Sequence, residues 1–462
     1  YLVYMNNFSL LLQNQRAYFQ TGATNNDTFR IQQLKNLYAA INKYQDKFNN
    51  ALKKDLNKAP QEVFNTEIGP ALSEISFLRK NLREWMRPQA VPGMIFSFPS
   101  TGKIYAEPYG SILIIAPWNY PFWLSMVPLA GAIAAGNCVV LKPSEHAPAT
   151  SAVMKQLLEE IFDPEYVAVV EGDVTVSQQL LEQHFDYIFF TGSTAVGKII
   201  AMAAANHLIP CTLELSGKTP CIVDKTANIP LAAKRLLWGK MINSGQTCVA
   251  PDFVYVHRSV EQQLISEMKK VLQKFYPEGA LNTEDYPRII NQRHYERLVE
   301  LLNSSGKILF GGKSKHAELL IEPTIMGDVG WDDLLMKEEV FGPLLPVLVY
   351  DDLNEVIQQV NAHPKPLALY LFSNDKKIQQ QIIKKIPFGG GLINDTIEHL
   401  GNPYLPFGGV GASGQGSYHG KYSFDTFSHH KSVMKKGTWL DLSFRYPPFR
   451  KISLRLARLL LR

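Results

Sequence analysis

Cys248 ends the run Gly245-Gln246-Thr247-Cys248 and precedes Val249-Ala250-Pro251, a setting that reads as a loop on which a thiolate can reach substrate. Cys138 and Cys221 sit in apolar stretches and read as inert core residues. Context alone leaves Cys248 open between a nucleophile and a small buried hydrophobe, because free cysteine is so often buried. Glu214, in Thr212-Leu213-Glu214-Leu215-Ser216-Gly217-Lys218, puts a carboxyl into an otherwise apolar strand just before a turn. Half-burial raises its pKa toward the range of a general base; the alternative is an ion pair with Lys218. Asn119, in Pro117-Trp118-Asn119-Tyr120-Pro121, offers an amide that can donate to a developing oxyanion, or is simply a turn asparagine.

Gly192-Ser193-Thr194-Ala195-Val196-Gly197-Lys198 follows an apolar strand and opens a helical pattern. Glycine permits close backbone approach, and free N–H groups at a helix start favour phosphate. The run nearly spells a Walker A loop, but Ile199 stands where a Ser or Thr must supply the Mg²⁺ hydroxyl, which demotes a P-loop nucleotidase. The other reading is a turn needed only for strand-to-helix packing. Gly409, Gly411 and Gly414 spell Gly-x-Gly-x-x-Gly, but Pro406-Phe407 precedes them where a strand is required and Gly416 follows where a helix is required. They read as a flexible or ligand-lining loop. Neither Gly-x-Ser-x-Gly nor His-Glu-x-x-His occurs, so serine-hydrolase and zinc-protease readings lose their usual support.

The elements that must position these groups follow from apolar periodicity. Residues 1–85 read as helices, with helical spacing over Arg30 to Leu56 and a further stretch ending near Trp85; Pro88 to Pro99 then breaks the pattern. Short apolar strands follow at Ile112–Ile115, Cys138–Leu141, Val167–Val170 and Tyr187–Phe190. Helices near Pro128–Ala135, Thr150–Ile161 and Val176–Leu181 separate them, the mark of a parallel sheet covered on both faces. A second series starts near Pro220: a strand at Cys221–Val223, a helix through Leu231–Met241, a strand at Phe253–His257 and a helix over Val260–Phe275. The reading is α/β, two consecutive parallel-sheet domains with a junction near Leu215 to Pro220, and ligands expected at the carboxyl ends of the strands.

The 462 residues exceed a single ~150-residue domain about threefold. With 46% hydrophobic and 19% charged residues, disorder is excluded. Four cysteines without C-x-x-C or metal spacing argue against a disulfide scaffold and a structural zinc site, so no metal is expected and a reducing, cytoplasmic setting is the default. Net charge is +5, but the acid-free stretch Arg445 to Arg462 carries six cations, leaving the rest at −1. A nearly neutral body does not read as a nucleic-acid binder. No targeting segment stands out, and Met5 reads as the native start. Pro108 to Leu141 lacks charge, but Pro117, Pro121, Pro128 and the asparagines Asn119 and Asn137 cut it into pieces shorter than the ~20 residues of a membrane span.

Taken together, the residues from about Leu34 to Val433 resemble the aldehyde dehydrogenase superfamily. Pro117-Trp118-Asn119-Tyr120-Pro121, Leu141-Lys142-Pro143-Ser144-Glu145, Phe190-Thr191-Gly192-Ser193-Thr194, Leu213-Glu214-Leu215, Asn243-Ser244-Gly245-Gln246-Thr247-Cys248, Glu338-Glu339-Val340-Phe341-Gly342-Pro343 and Leu405-Pro406-Phe407-Gly408-Gly409 occur in the family's order. The short N-terminus, Gly416-Ser417-Tyr418-His419-Gly420-Lys421 and Phe424-Asp425-Thr426-Phe427-Ser428-His429 resemble its class 3 branch, which includes fatty aldehyde dehydrogenases.

The resemblance implies a variant Rossmann NAD(P)-binding domain over 1–85 and 105–214, and a catalytic domain over 215–401. It also implies bridging and oligomerisation segments over 86–104 and 402–440, with a small β-arm. Cys248 would be the nucleophile, Asn119 and the Cys248 N–H would hold the oxyanion, and Glu214 would activate water against the thioester. Trp118 would contact the cofactor. Lys142 and Glu145 would meet the adenosine ribose, Gly192, Ser193 and Gly197 the pyrophosphate, and Glu339 with Phe341 the nicotinamide ribose and ring. An acid near the adenosine ribose favours NAD, with NADP possible. The substrate class implied is medium- to long-chain aliphatic or aromatic aldehydes, and class 3 members tend to be homodimers. One departure stands out: Ser216 occupies a position where the family usually has glycine. If φ must be positive there, serine is strained and the orientation of Glu214 suffers.

Beyond the body, residues 445–462 read as a basic amphipathic tail. Lys451, Arg455, Arg458 and Arg462 share one helical face, with Ile452, Leu456, Leu459 and Leu460 on the others. Such helices lie in the interface of anionic membranes; the tail packed on its own fold or on a sister subunit is the alternative. Rival functions are a cysteine-dependent acyl transferase or thioesterase, or a non-catalytic protein on the same fold.

Overall fold

The computed structural model describes residues 7–304, 306–442, 445–448 and 451–460; Met5, Arg450 and Arg462, named above, lie outside them. Five short strands, β1 (Ser111–Ile115), β2 (Cys138–Lys142), β3 (Val167–Val169), β4 (Tyr187–Thr191) and β5 (Cys211–Glu214), are buried almost throughout. That is why they read as continuous apolar runs with no alternation. They form one parallel sheet in the order β5-β4-β1-β2-β3. The chain runs outward from β1 to β3 and then returns to the other side of β1 with β4. The strand order thus reverses between β1 and β4, and the crevice at their carboxyl ends is where open α/β sheets bind ligands.

A second sheet comprises β6 (Pro220–Val223), β7 (Phe253–His257), β8 (Lys307–Phe310), β9 (Thr324–Gly327), β10 (Leu344–Tyr350), β11 (Ala368–Phe372) and β12 (Gly390–Ile393), in the order β8-β9-β10-β7-β6-β11-β12. Its edge strand β8 is antiparallel and the others are parallel. The turn from Leu215 to Thr219 links the two sheets. Strands Gln89–Val91, Ser100–Pro108 and Ser428–Lys436 make a separate antiparallel arm.

The uncharged stretch from Pro108 to Leu141 resolves into β1, a loop, a helix and β2. The helix begins at Trp123, earlier than its apolar spacing suggested, and all of Trp123–Ala135 is buried, including Pro128 within it. Helices hydrophobic all round belong in a core. Among the described residues, no helix is long and apolar enough to cross a membrane. The helical stretch Arg30 to Leu56 is two helices, Asp27–Lys43 and Gln45–Leu56, joined at Tyr44, whose hydroxyl bonds Glu160 at 2.5 Å.

The Gly409–Gly414 loop is more ordered than its composition suggested. Gly414 pairs with Glu214, so residues 414–415 form an antiparallel edge beside β5. Gly414 has φ +149°, and a Cβ there would lie 2.4 Å from the Leu213 carbonyl oxygen. Glycine is what permits this approach.

Candidate active site

Cys248 is brought to the cleft by a tightly determined loop. Asn243 and Ser244 both take φ of 52°, and Gly245 follows at 74°. A Cβ on Gly245 would lie 2.2 Å from the Gly342 carbonyl oxygen, so this glycine seats the loop directly on the segment that carries Glu339 and Phe341. Gln246 is buried and ties the loop down: its Nε2 donates to the carbonyls of Asn243 and Arg288, both at 3.0 Å, and its Oε1 accepts from Ile290 N at 3.0 Å. Cys248 itself is half-buried and lines the cleft, whereas Cys138 and Cys221 are buried in strands. Burial, followed by the charges of Glu339 and Glu214, pushes the Cys248 thiol up to about 12.

Asn119 lies just past β1, buried, with Nδ2 donating to the Gln246 carbonyl at 3.1 Å. A buried ion pair that sequence reasoning missed holds its loop. Lys58 Nζ bonds Glu67 Oε1 at 2.6 Å and the Asn119 carbonyl at 3.1 Å; Glu67 Oε2 accepts from the N–H groups of Phe122 and Trp123 at 3.0 and 3.1 Å. Both side chains are fully buried, and Glu67 lies in a π-helical turn, Phe64–Ile68, a distortion often found at functional sites. Burial pushes the Glu67 carboxyl up against the Lys58 charge and the two main-chain donors. Lys58→Met strands that carboxylate, so we expect a loss of about 3–5 kcal/mol in denaturant unfolding, largely recovered in the double variant with Glu67→Gln. An unchanged midpoint for Lys58→Met would show that the pair carries no stability.

Glu214, the last residue of β5, lines the same cleft. It is 3% exposed, and among the described residues neither carboxyl oxygen has a hydrogen-bond partner. Burial holds it well above the usual carboxylate range. The ion pair with Lys218 does not form: Lys218 Nζ bonds Asp252 Oδ2 at 2.6 Å and the carbonyl of Glu338 at 2.7 Å. Nor is Ser216 strained, since its φ is not positive; its hydroxyl donates instead to Glu339 Oε2. Burial and the Asp252 charge push Glu339 up to about 8, while Ser216, Lys218 and Lys240 pull it down.

The cleft measures about 1760 Å³. Of the remaining candidates, Trp118, Gly192, Ser193, Glu339 and Phe341 line it. Lys142, Glu145 and Gly197 lie outside the lining. Lys142 is buried and its Nζ bonds Glu145 Oε2 at 2.8 Å. Burial pushes the Glu145 carboxyl up, but the bond and charge from Lys142 outweigh it and leave the group below its ordinary value. Gly197 packs on the first turn of its helix, where a Cβ would lie 2.4 Å from Leu215 Cδ2. Two features of the lining suit a dinucleotide. The helix Thr194–Asn206 opens into the cleft with Ser193 as its cap, and the buried Thr191 hydroxyl above it has no partner among the described residues. His294, which the sequence did not flag, packs against Trp118 with ring centroids 5.1 Å apart and planes tilted by 48°.

A loop carrying a half-buried cysteine, a buried carboxyl and a helix start thus share one cleft, and residues 11–433 match the model of the aldehyde dehydrogenase family. The chain belongs to the aldehyde dehydrogenase family. It is 49% identical over 447 residues to the 4,4'-diaponeurosporen-aldehyde dehydrogenase of Staphylococcus aureus, covering 96% of this chain and 97% of that protein. It is 43% identical over 456 residues to aldehyde dehydrogenase family 3 member H1 of Arabidopsis thaliana, covering 98% and 94%. The solved substrate-bound Staphylococcus aureus AldH superposes with a TM-score of 0.96 at 47% identity, covering 98% of this chain and 99% of that one. This aldehyde dehydrogenase is therefore an oxidoreductase acting on aldehydes, with the two-sheet fold of its family.

Proposed function

We propose that this aldehyde dehydrogenase oxidises medium- to long-chain aliphatic or aromatic aldehydes to carboxylic acids with NAD, and also with NADP, through a thioester on Cys248. The observation that carries this reading is the convergence of Cys248, Glu214 and Asn119 on one cleft that also receives a helix start. Cys248 adds to the aldehyde carbonyl as thiolate, and the oxyanion is met by the Asn119 amide and the Cys248 N–H. A bound nicotinamide would supply the hydride acceptor that lets the adduct on Cys248 become a thioester. Glu214 then removes a proton from the water that attacks the thioester, releasing the acid and restoring the thiol. A serine ester would hydrolyse without this redox step.

Trp118, Gly192, Ser193, Gly197, Glu339 and Phe341 would hold the dinucleotide, with Lys142 and Glu145 at its adenosine ribose. A carboxylate there accepts a 2′-hydroxyl and repels a 2′-phosphate, and Lys142 keeps Glu145 charged while offsetting part of that repulsion. Trp238, Met241, Ile242, Phe275 and Tyr276 give the cleft an apolar flank, which suits an apolar aldehyde. The test is turnover of aldehydes of increasing length with each cofactor, followed by absorbance of the reduced nicotinamide. Turnover should favour the longer, more apolar substrates. Acyl transfer or hydrolysis with no reduced nicotinamide would identify a transferase or thioesterase instead.

We also place a homodimer contact at the antiparallel arm, by analogy with class 3, and membrane contact at the tail. The helix Lys451–Leu460 leaves Ile452 66% and Leu459 76% exposed, so these two apolar side chains are open to a partner surface. Its cations Lys451, Arg455 and Arg458 suit an anionic surface. Full-length protein should co-sediment with anionic liposomes more than a chain ending at Tyr446. Equal co-sedimentation would refute the membrane contact.

A further inference from the structure

Ser216 is where this chain departs from the usual residue of its family, and the fold gives the hydroxyl a partner. The segment bearing Glu339 is pinned through its main chain. Lys218 donates to the Glu338 carbonyl at 2.7 Å, Arg297 to the carbonyls of Glu339 and Val340 at 3.3 and 2.6 Å, and Val340 N donates to Asp252 Oδ1 at 2.8 Å. None of these bonds fixes the Glu339 side chain. Among the described residues its carboxyl is held by the Ser216 hydroxyl alone. Ser216 is in turn fixed by its neighbours: Leu215 N bonds the Ser413 carbonyl at 3.1 Å, and the Lys218 ammonium is locked on Asp252.

We infer that Ser216 is a positioning residue for the cofactor site, presetting the Glu339 carboxylate in the cleft before the dinucleotide arrives. The inference rests on the reading above that Glu339 meets the nicotinamide ribose. Capacity allows both contacts: a carboxylate offers about four lone-pair sites, Ser216 occupies one, and the ribose hydroxyls can take others. Ordering a side chain in advance removes part of the entropy that binding would otherwise cost. The hydroxyl also favours the charged form of a carboxyl that burial and Asp252 push up.

Calorimetric titration of the full chain with NADH and with ADP, which lacks the nicotinamide ribose, tests this. Ser216→Ala should weaken NADH about two- to tenfold, the range expected for one lost hydrogen bond, while leaving ADP unchanged, and Ser216→Thr, which keeps the hydroxyl, should restore NADH binding. Tighter or unaltered NADH binding in Ser216→Ala overturns the inference, the former by showing that the hydroxyl competes with the ribose. Equal weakening of NADH and ADP also overturns it, by showing a structural effect. A parent protein that binds neither ligand would instead remove the cofactor reading itself.

Discussion

Cys248→Ala should abolish aldehyde-dependent formation of reduced nicotinamide, by ~10⁴-fold or more, with dinucleotide binding nearly intact. The expectation is large because no other thiol is placed to substitute. Cys138 and Cys221 are buried in strands, and Cys211 is half-buried at the start of β5, the opposite end of that strand from Glu214. Binding should survive because the helix start at Thr194 and the Glu339 segment do not depend on the sulfur for their hydrogen bonds. Cys248→Ser should remain nearly as inactive, since a hydroxyl is the weaker nucleophile at neutral pH. With its pKa pushed up to about 12, the thiol is neutral at rest. Activity should therefore rise with pH across the neutral range. Retained turnover in the alanine variant, measured with a saturating aldehyde, would eliminate the nucleophile assignment.

The second large effect belongs to Glu214→Gln, and its signature is a division between two rates. Steady-state turnover should fall by ~10²–10³-fold, the span expected for a lost general base, while the first hydride transfer in a single turnover changes far less. A burst of reduced nicotinamide equal to the enzyme concentration, followed by slow turnover, is the expected trace. The substitution is structurally mild: glutamine matches the carboxyl in shape, and burial already disfavours the charge that it removes. Only the carboxylate can take the proton, so parent activity should fall as pH drops through a range shifted above that of an ordinary carboxyl. Equal losses in both rates would reassign Glu214 to the first step.

Much of this candidate site was legible in the sequence because its residues sit on turns or at a strand end marked by unusual residues. Gly245 marks the Cys248 loop, since only a residue without Cβ lets it rest on Gly342. The strands were legible because burial on both faces makes them continuous apolar runs. The Lys58–Glu67 pair was not: on a helical segment a lysine and a glutamate look like a solvated surface, and only the tertiary fold buries them under the Asn119 loop. Ser216 was singled out for the wrong reason, because the family's glycine suggested a φ constraint that the backbone does not impose. The start of the buried helix was placed late, because an element apolar on every side has no periodic face to mark its first turn.

The edge beside Glu214 comes from residues 414–415, and the arm strand Ser100–Pro108 is completed by Ser428–Lys436. A nascent chain still threaded through the ribosome carries Cys248 long before the scaffold around Glu214 is finished. Translation that stops short of these closing strands thus yields a polypeptide holding Asn119, Glu214 and Cys248 but lacking the last pairings that set the surrounding strands in register.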